Sequence, residues 1–148
     1  MSDINNLSPQ KNRKTRPLSP KNKIRKAPQR RPHILDKHIP RAIRFITSDL
    51  EKVFTQEIAS MMVIGRRNSM KDVDVVIDLS NYDAHSMGVS RYHAMILTLD
   101  NRVTLKDLNS LNGTQLNDLD LEPSQEYLLE HGDTVRFGQL NFLVAFVY

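Results

Sequence analysis

Thr134-Val135-Arg136-Phe137-Gly138-Gln139-Leu140-Asn141-Phe142-Leu143-Val144-Ala145-Phe146-Val147 decides the fold class of this chain. Val135-Arg136-Phe137 alternates apolar and polar residues, the period of a strand with one face buried. Gly138 punctuates the pattern, and Asn141–Val147 follows as a second strand-length stretch. That stretch is almost wholly apolar, so it belongs in the middle of a sheet or under cover. An exposed edge of such composition would recruit other chains. The same grammar recurs upstream. Strands are expected at Ala42–Thr47, Val53–Ile58, Met61–Gly65, Val73–Leu79, His93–Leu99, Arg102–Leu108, Thr114–Asn117 and Glu126–Leu129, with turn signals at Asp100-Asn101, Asn112-Gly113 and Gly132-Asp133. No window holds a helical period long enough to compete. Many short strands at close spacing predict an all-β sandwich or barrel.

The front of the chain obeys different rules. Residues 1–44 hold 13 Lys/Arg against 2 Asp/Glu, a balance of +11, whereas residues 45–148 carry −7. Six of the seven prolines lie in the first segment and all five glycines in the second. A Pro-containing stretch with few apolar residues and strong self-repulsion buries too little surface to offset ordering entropy. Residues 1–41 are therefore expected to be a disordered basic tail and residues 42–148 the folded domain. With no cysteine in the chain, disulfides, thiolate nucleophiles and sulfur-based zinc sites are excluded. The five histidines lack metal-binding spacing, so neither a metal nor a cofactor is expected. No apolar run is long enough to span a bilayer, and the basic N-terminus has no apolar core of a secretory signal; a cytoplasmic protein is expected.

Four blocks of the sequence carry a resemblance. They are Val63-Ile64-Gly65-Arg66; Gly88-Val89-Ser90-Arg91-Tyr92-His93-Ala94; Leu105 through Asp107, Ser110, Asn112-Gly113-Thr114 to Leu116-Asn117; and Leu129 through Gly132-Asp133-Thr134 to Gly138. In this order and spacing they make Met61–Tyr148 resemble the forkhead-associated (FHA) domain family. The resemblance implies an FHA-like β-sandwich of many short, mostly antiparallel strands that reads phosphothreonine and performs no chemistry. It implies a non-catalytic adaptor in Ser/Thr kinase signalling whose partner is a phosphothreonine-containing protein or peptide. The residue types agree. A phosphate monoester presents about two negative charges and three acceptor oxygens. Arg66 offers a permanently charged fork that matches phosphate oxygens in pairs, and Ser90 offers a compact donor. The resemblance makes this pair the phosphate site, with Asn112 beside Gly113 bonding the peptide backbone, Arg91 as a further candidate contact and His93 holding the loops beneath. Gly65 is expected to permit a bend that frees Arg66. Leu111 departs from the pattern, standing where many relatives place Thr or a basic residue. Tyr82 and His85, in the long stretch before Ser90, are candidate peptide-reading side chains.

Two other functions compete. Ser90 and His93 lie three apart near a strand entrance, where odd spacing sends side chains to opposite faces, so a nucleophile–base pair is not expected. No Gly-x-Ser-x-Gly elbow or Gly-rich phosphate cradle is present. The alternative to phosphopeptide reading is nucleic-acid or other polyanion contact by the basic tail, with the sandwich as an accessory module. The tail lacks aromatic residues for base stacking. It also contains Thr15, so a further expectation is that the phosphorylated tail is itself a ligand.

Overall fold

The computed structural model describes residues 38–148. The expected tail lies outside the described residues, apart from its last four positions. Pairing begins just before Ala42: the Arg41 N–H donates to the Val147 carbonyl at 2.8 Å and the Ile58 N–H to that of Arg41 at 2.9 Å.

Among the described residues eleven strands form, β1 Ala42–Thr47, β2 Val53–Glu57, β3 Met61–Gly65, β4 Val75–Asp78, β5 Ala94–Leu99, β6 Arg102–Asp107, β7 Thr114–Leu116, β8 Leu119–Asp120, β9 Glu126–Leu128, β10 Thr134–Phe137 and β11 Leu140–Val147. They pair in two sheets, one ordered β2-β1-β11-β10-β7-β8 and the other β4-β3-β5-β6-β9. The all-β sandwich is as the sequence predicts, and its pairs are antiparallel except β3 with β4. β11 lies between β1 and β10, so its apolar run is indeed central. Its inward residues Leu140, Phe142 and Val144 join Ile43 and Phe45 of β1 in one core with Ile64, Ile96 and Leu105 of the facing sheet. Among the described residues no helix is long and apolar enough to cross a membrane; the only helical element is a 3-10 turn at Ser80–Tyr82.

The ends of β2, β5, β6, β7, β9 and β11 differ from expectation by one residue, β4 is cut at both ends, and β8 is unexpected. β4 is shorter at both ends than Val73–Leu79. Before it, Asp72 accepts the N–H groups of Asn68 and Ser69, and after it Asp78 accepts the N–H and hydroxyl of Ser80, so turns displace extended backbone. β5 starts at Ala94, and just ahead of it the His93 ring captures the Ser90 N–H of the preceding loop. The two-residue β8 is too short to leave a period in the sequence.

Aromatic packing closes the sandwich at one end. Phe45 stacks on Phe54 with centroids 4.9 Å apart, and Phe142 meets both rings and Tyr82 edge-on at 5.8–5.9 Å. Tyr82 also lies beneath the Lys52 ammonium, 5.5 Å from its centroid. It is half-buried and packs at the margin of the core. Truncating the ring at the centre of this cluster removes buried area and leaves a cavity. Phe142→Ala should cost about 3–5 kcal/mol, read as a lowered urea midpoint with an unchanged slope.

Candidate functional site

Four connections meet at one end of the sandwich: Arg66–Asp74, Leu79–His93, Leu108–Gly113 and the tight Gly138-Gln139 turn. They are tied by backbone bonds. The Gly138 N–H donates to the Gly113 carbonyl at 3.2 Å, the Gln139 N–H to Met87 at 2.8 Å, and the Arg66 N–H to Ser90 at 3.3 Å.

His93 is fully buried under this crown. Its Nδ1 accepts the Ser90 N–H at 2.9 Å. Nε2 therefore carries the proton and donates to the Gly113 carbonyl at 2.9 Å. Its ring edge packs against Phe137, with centroids 5.7 Å apart. Burial pushes the imidazole below its usual range, against weaker opposing pulls from the Gly113 carbonyl and the Asp107 carboxylate. The loop-holding role implied for His93 matches these bonds. They also correct the reason for excluding a Ser–His pair. Both residues precede β5, so strand alternation does not govern them; both ring nitrogens are instead committed to backbone.

Asp107 organises the neighbouring loop, and sequence reasoning assigned it no role. This buried carboxylate accepts the Ser110 N–H at 3.1 Å and the hydroxyls of Ser110 and Thr114, each at 2.6 Å. A signal existed. Val103, Leu105 and Asp107 share the inward face of β6, and an acid on that face needs donors of its own. Gly113, at φ +82°, supplies the left-handed turn that returns the chain to β7.

Arg66 leaves the end of β3 and is fixed at its neck: its Nε–H donates to the Val89 carbonyl at 2.7 Å. Its two terminal NH₂ groups have no hydrogen-bond partner among the described residues. The Ser90 hydroxyl oxygen accepts the Leu111 N–H at 3.2 Å, which leaves its own proton without an acceptor among the described residues. Arg66 and Ser90 thus stand on bonded backbone segments, each with donors to spare. Asn112 Nδ2 donates to the Gly88 carbonyl at 2.9 Å, clasping two loops and leaving its Oδ1 as an acceptor. Arg91 is exposed. The N–H groups of Asn68 and Ser69 hold Asp72 below the usual carboxylate range, with a smaller pull from the charge of Arg91. Arg67, by contrast, is spent on the Val75 carbonyl, at 3.0 and 2.7 Å. His85 is exposed.

Gly65 serves differently from expectation. It lies within β3, and a Cβ there would sit 1.8 Å from the Arg91 carbonyl oxygen. Close approach of the Ser90-Arg91 backbone, rather than a bend, is what requires glycine.

The FHA domain family model matches residues 62–138, from the inward Met62 of β3 to Gly138. The chain belongs to the FHA family. Curated relatives include the FHA domain-containing protein PS1 of Arabidopsis thaliana, 32% identical over 84 residues, or 55% of this chain and 5% of that protein. Protein FraH of Nostoc sp. is 36% identical over 89 residues, 60% of this chain and 29% of its own. The chain thus spans under a third of either relative. Among solved FHA structures, one described for phosphothreonine-dependent FHA domain interactions is 27% identical with a TM-score of 0.55, covering 72% of this chain and 98% of that one. The FhaA FHA domain, solved in complex with the intracellular domain of a second protein, is 29% identical with a TM-score of 0.52, covering 69% and 98%. FHA domains are phosphothreonine-binding, non-catalytic interaction modules.

The buried imidazole makes stability depend on pH. Folding holds the His93 pKa below its unfolded value of about 6.5, so the unfolded chain takes up a proton that the fold excludes. This contribution is complete above that value and is lost as pH falls below it. Urea unfolding at pH 7.5 and pH 5.5 should show a drop in wild type. His93→Gln should be weaker throughout but flatter across the same interval.

Proposed function

We propose that the Arg66–Ser90 crown binds phosphothreonine-containing protein segments and that the protein acts as a non-catalytic adaptor in Ser/Thr kinase signalling. The observation that carries this reading is the Arg66 side chain, tethered at Nε to Val89 with its terminal fork unpartnered among the described residues, beside a Ser90 hydroxyl free to donate. Two guanidinium donors and one hydroxyl suit the oxygens of a phosphate monoester. Asn112 Oδ1 accepts a peptide N–H beside the phosphorylated residue, and Arg91 adds charge from the rim. Gly113, Gly65 and His93 fix the geometry. The division into a tail of residues 1–41 and a binding domain of 42–148 belongs to this reading, as does a cytoplasmic setting.

Charge-assisted bonds of this kind contribute about 1.5–3 kcal/mol each. Arg66→Ala should therefore weaken a phosphothreonine peptide roughly tenfold to a hundredfold in calorimetry. Equal affinities for wild type and variant would refute the assignment.

The charge of +11 on residues 1–44 favours a second, accessory reading, in which the tail contacts polyanions without sequence preference. Binding of the full chain to an unphosphorylated polyanion should fall steeply between about 50 and 200 mM salt. The phosphothreonine peptide should lose less over that range and should bind only when phosphorylated. The same full chain, phosphorylated at Thr15, would compete with the added peptide if the tail is its own ligand.

A further inference from the structure

Leu111 is 89% exposed. Single exposed leucines are common on protein surfaces and by themselves mean nothing. Its place is what matters. The Leu111 N–H donates to the Ser90 hydroxyl oxygen, so its backbone lies against the phosphate subsite proposed above. The loop on both sides is pinned. Ser110 is held by Asp107 through N–H and hydroxyl, Asn112 is clasped to Gly88, and the Gly113 carbonyl accepts from His93. Leu111 is thus an apolar side chain presented on an immobilised backbone, and docking against it costs little loop entropy. A hydroxyl or amine at this position would donate to phosphate. Leucine has no donor and contributes only apolar area.

We infer that Leu111 is a specificity-determining residue, selecting phosphothreonine segments that carry a large aliphatic side chain within about two positions of the phosphothreonine. The range follows from reach. An extended peptide advances about 3.3–3.6 Å per residue, and the Leu111 amide is itself only 3.2 Å from the Ser90 hydroxyl oxygen. The inference rests on the phosphothreonine reading of the site.

The test is a peptide set in which phosphothreonine is flanked by alanines, with leucine placed singly at each of the two preceding and two following positions. Affinities are measured by calorimetry on the full chain as wild type, Leu111→Ala and Arg66→Ala. One leucine position should bind wild type about fivefold to tenfold more tightly than the all-alanine peptide, the scale expected for burying part of one leucine. Leu111→Ala should erase that gain while leaving the all-alanine peptide bound nearly as before. Because the side chain is solvent-exposed, thermal unfolding of the variant should match wild type. If phosphate-dependent, Arg66-dependent binding is present but no leucine position helps, or the gain survives in Leu111→Ala, the selectivity inference is overturned and the parent reading stands. If wild type shows no phosphate-dependent binding, both are overturned.

Discussion

A neutral imidazole sealed beneath the crown ties together the two loops that make the site. His93 spends its single proton on the Gly113 carbonyl and its single lone pair on the Ser90 N–H. Either bond alone would leave a buried polar nitrogen unsatisfied; together they make burial tolerable and fix the distance between the loops. Burial in turn keeps the ring uncharged, and only the uncharged ring can both accept and donate. The Ser90 backbone is held further by close approach to Gly65, where no side chain fits. Asp107 does the equivalent for the second loop, gathering Ser110 and Thr114.

The result is a division of labour among polar groups. His93 and Asp107, which hold the loops, are buried and engaged, whereas Arg66 and Ser90 use only part of their capacity within the chain. Arg66 anchors at Nε, which leaves the paired donors at its end in a fixed direction rather than sweeping through solvent. Ser90 accepts from Leu111, which leaves its own proton for another acceptor. A ligand that meets groups already oriented loses less entropy on binding, so modest numbers of contacts suffice. His93, with both ring nitrogens committed to backbone, has none left to move a proton.

Strand positions were readable because alternation and turn residues act locally. Met61–Gly65 and Thr134–Phe137 appear with the expected limits. Ends went astray where side chains capture backbone: Asp72 and Asp78 around β4, and His93 ahead of β5. The pair Arg66 and Ser90 is proposed through the FHA resemblance, and the fold joins their backbones by a hydrogen bond of 3.3 Å. Asp107 was overlooked because its partners lie three and seven residues on, and its meaning depends on facing inward. Gly65 was recognised as special for the wrong reason, since the contact that demands it comes from Arg91, 26 residues away in the chain. Tyr82 read as a loop aromatic, yet two phenylalanines from separate strands claim its ring. Long-range contacts of this kind leave no periodic trace.

The anion recognition proposed for a segment whose own balance is −7 requires that local geometry outweigh net charge. At physiological ionic strength exposed charges are screened over about 8 Å, so distant carboxylates contribute little at the crown. Three acids in or beside the crown loops are also occupied. Asp78 accepts from Arg67 and Ser80, Asp72 from Asn68 and Ser69, and Asp107 lies buried among hydroxyls. None of them pairs with the Arg66 side chain, whose single partner among the described residues is the neutral Val89 carbonyl. A carboxylate partner would have neutralised the guanidinium and blocked its fork; a carbonyl positions it and leaves its charge intact. On the proposed reading, choice of that partner, more than the count of basic residues, equips the crown for a doubly charged ligand.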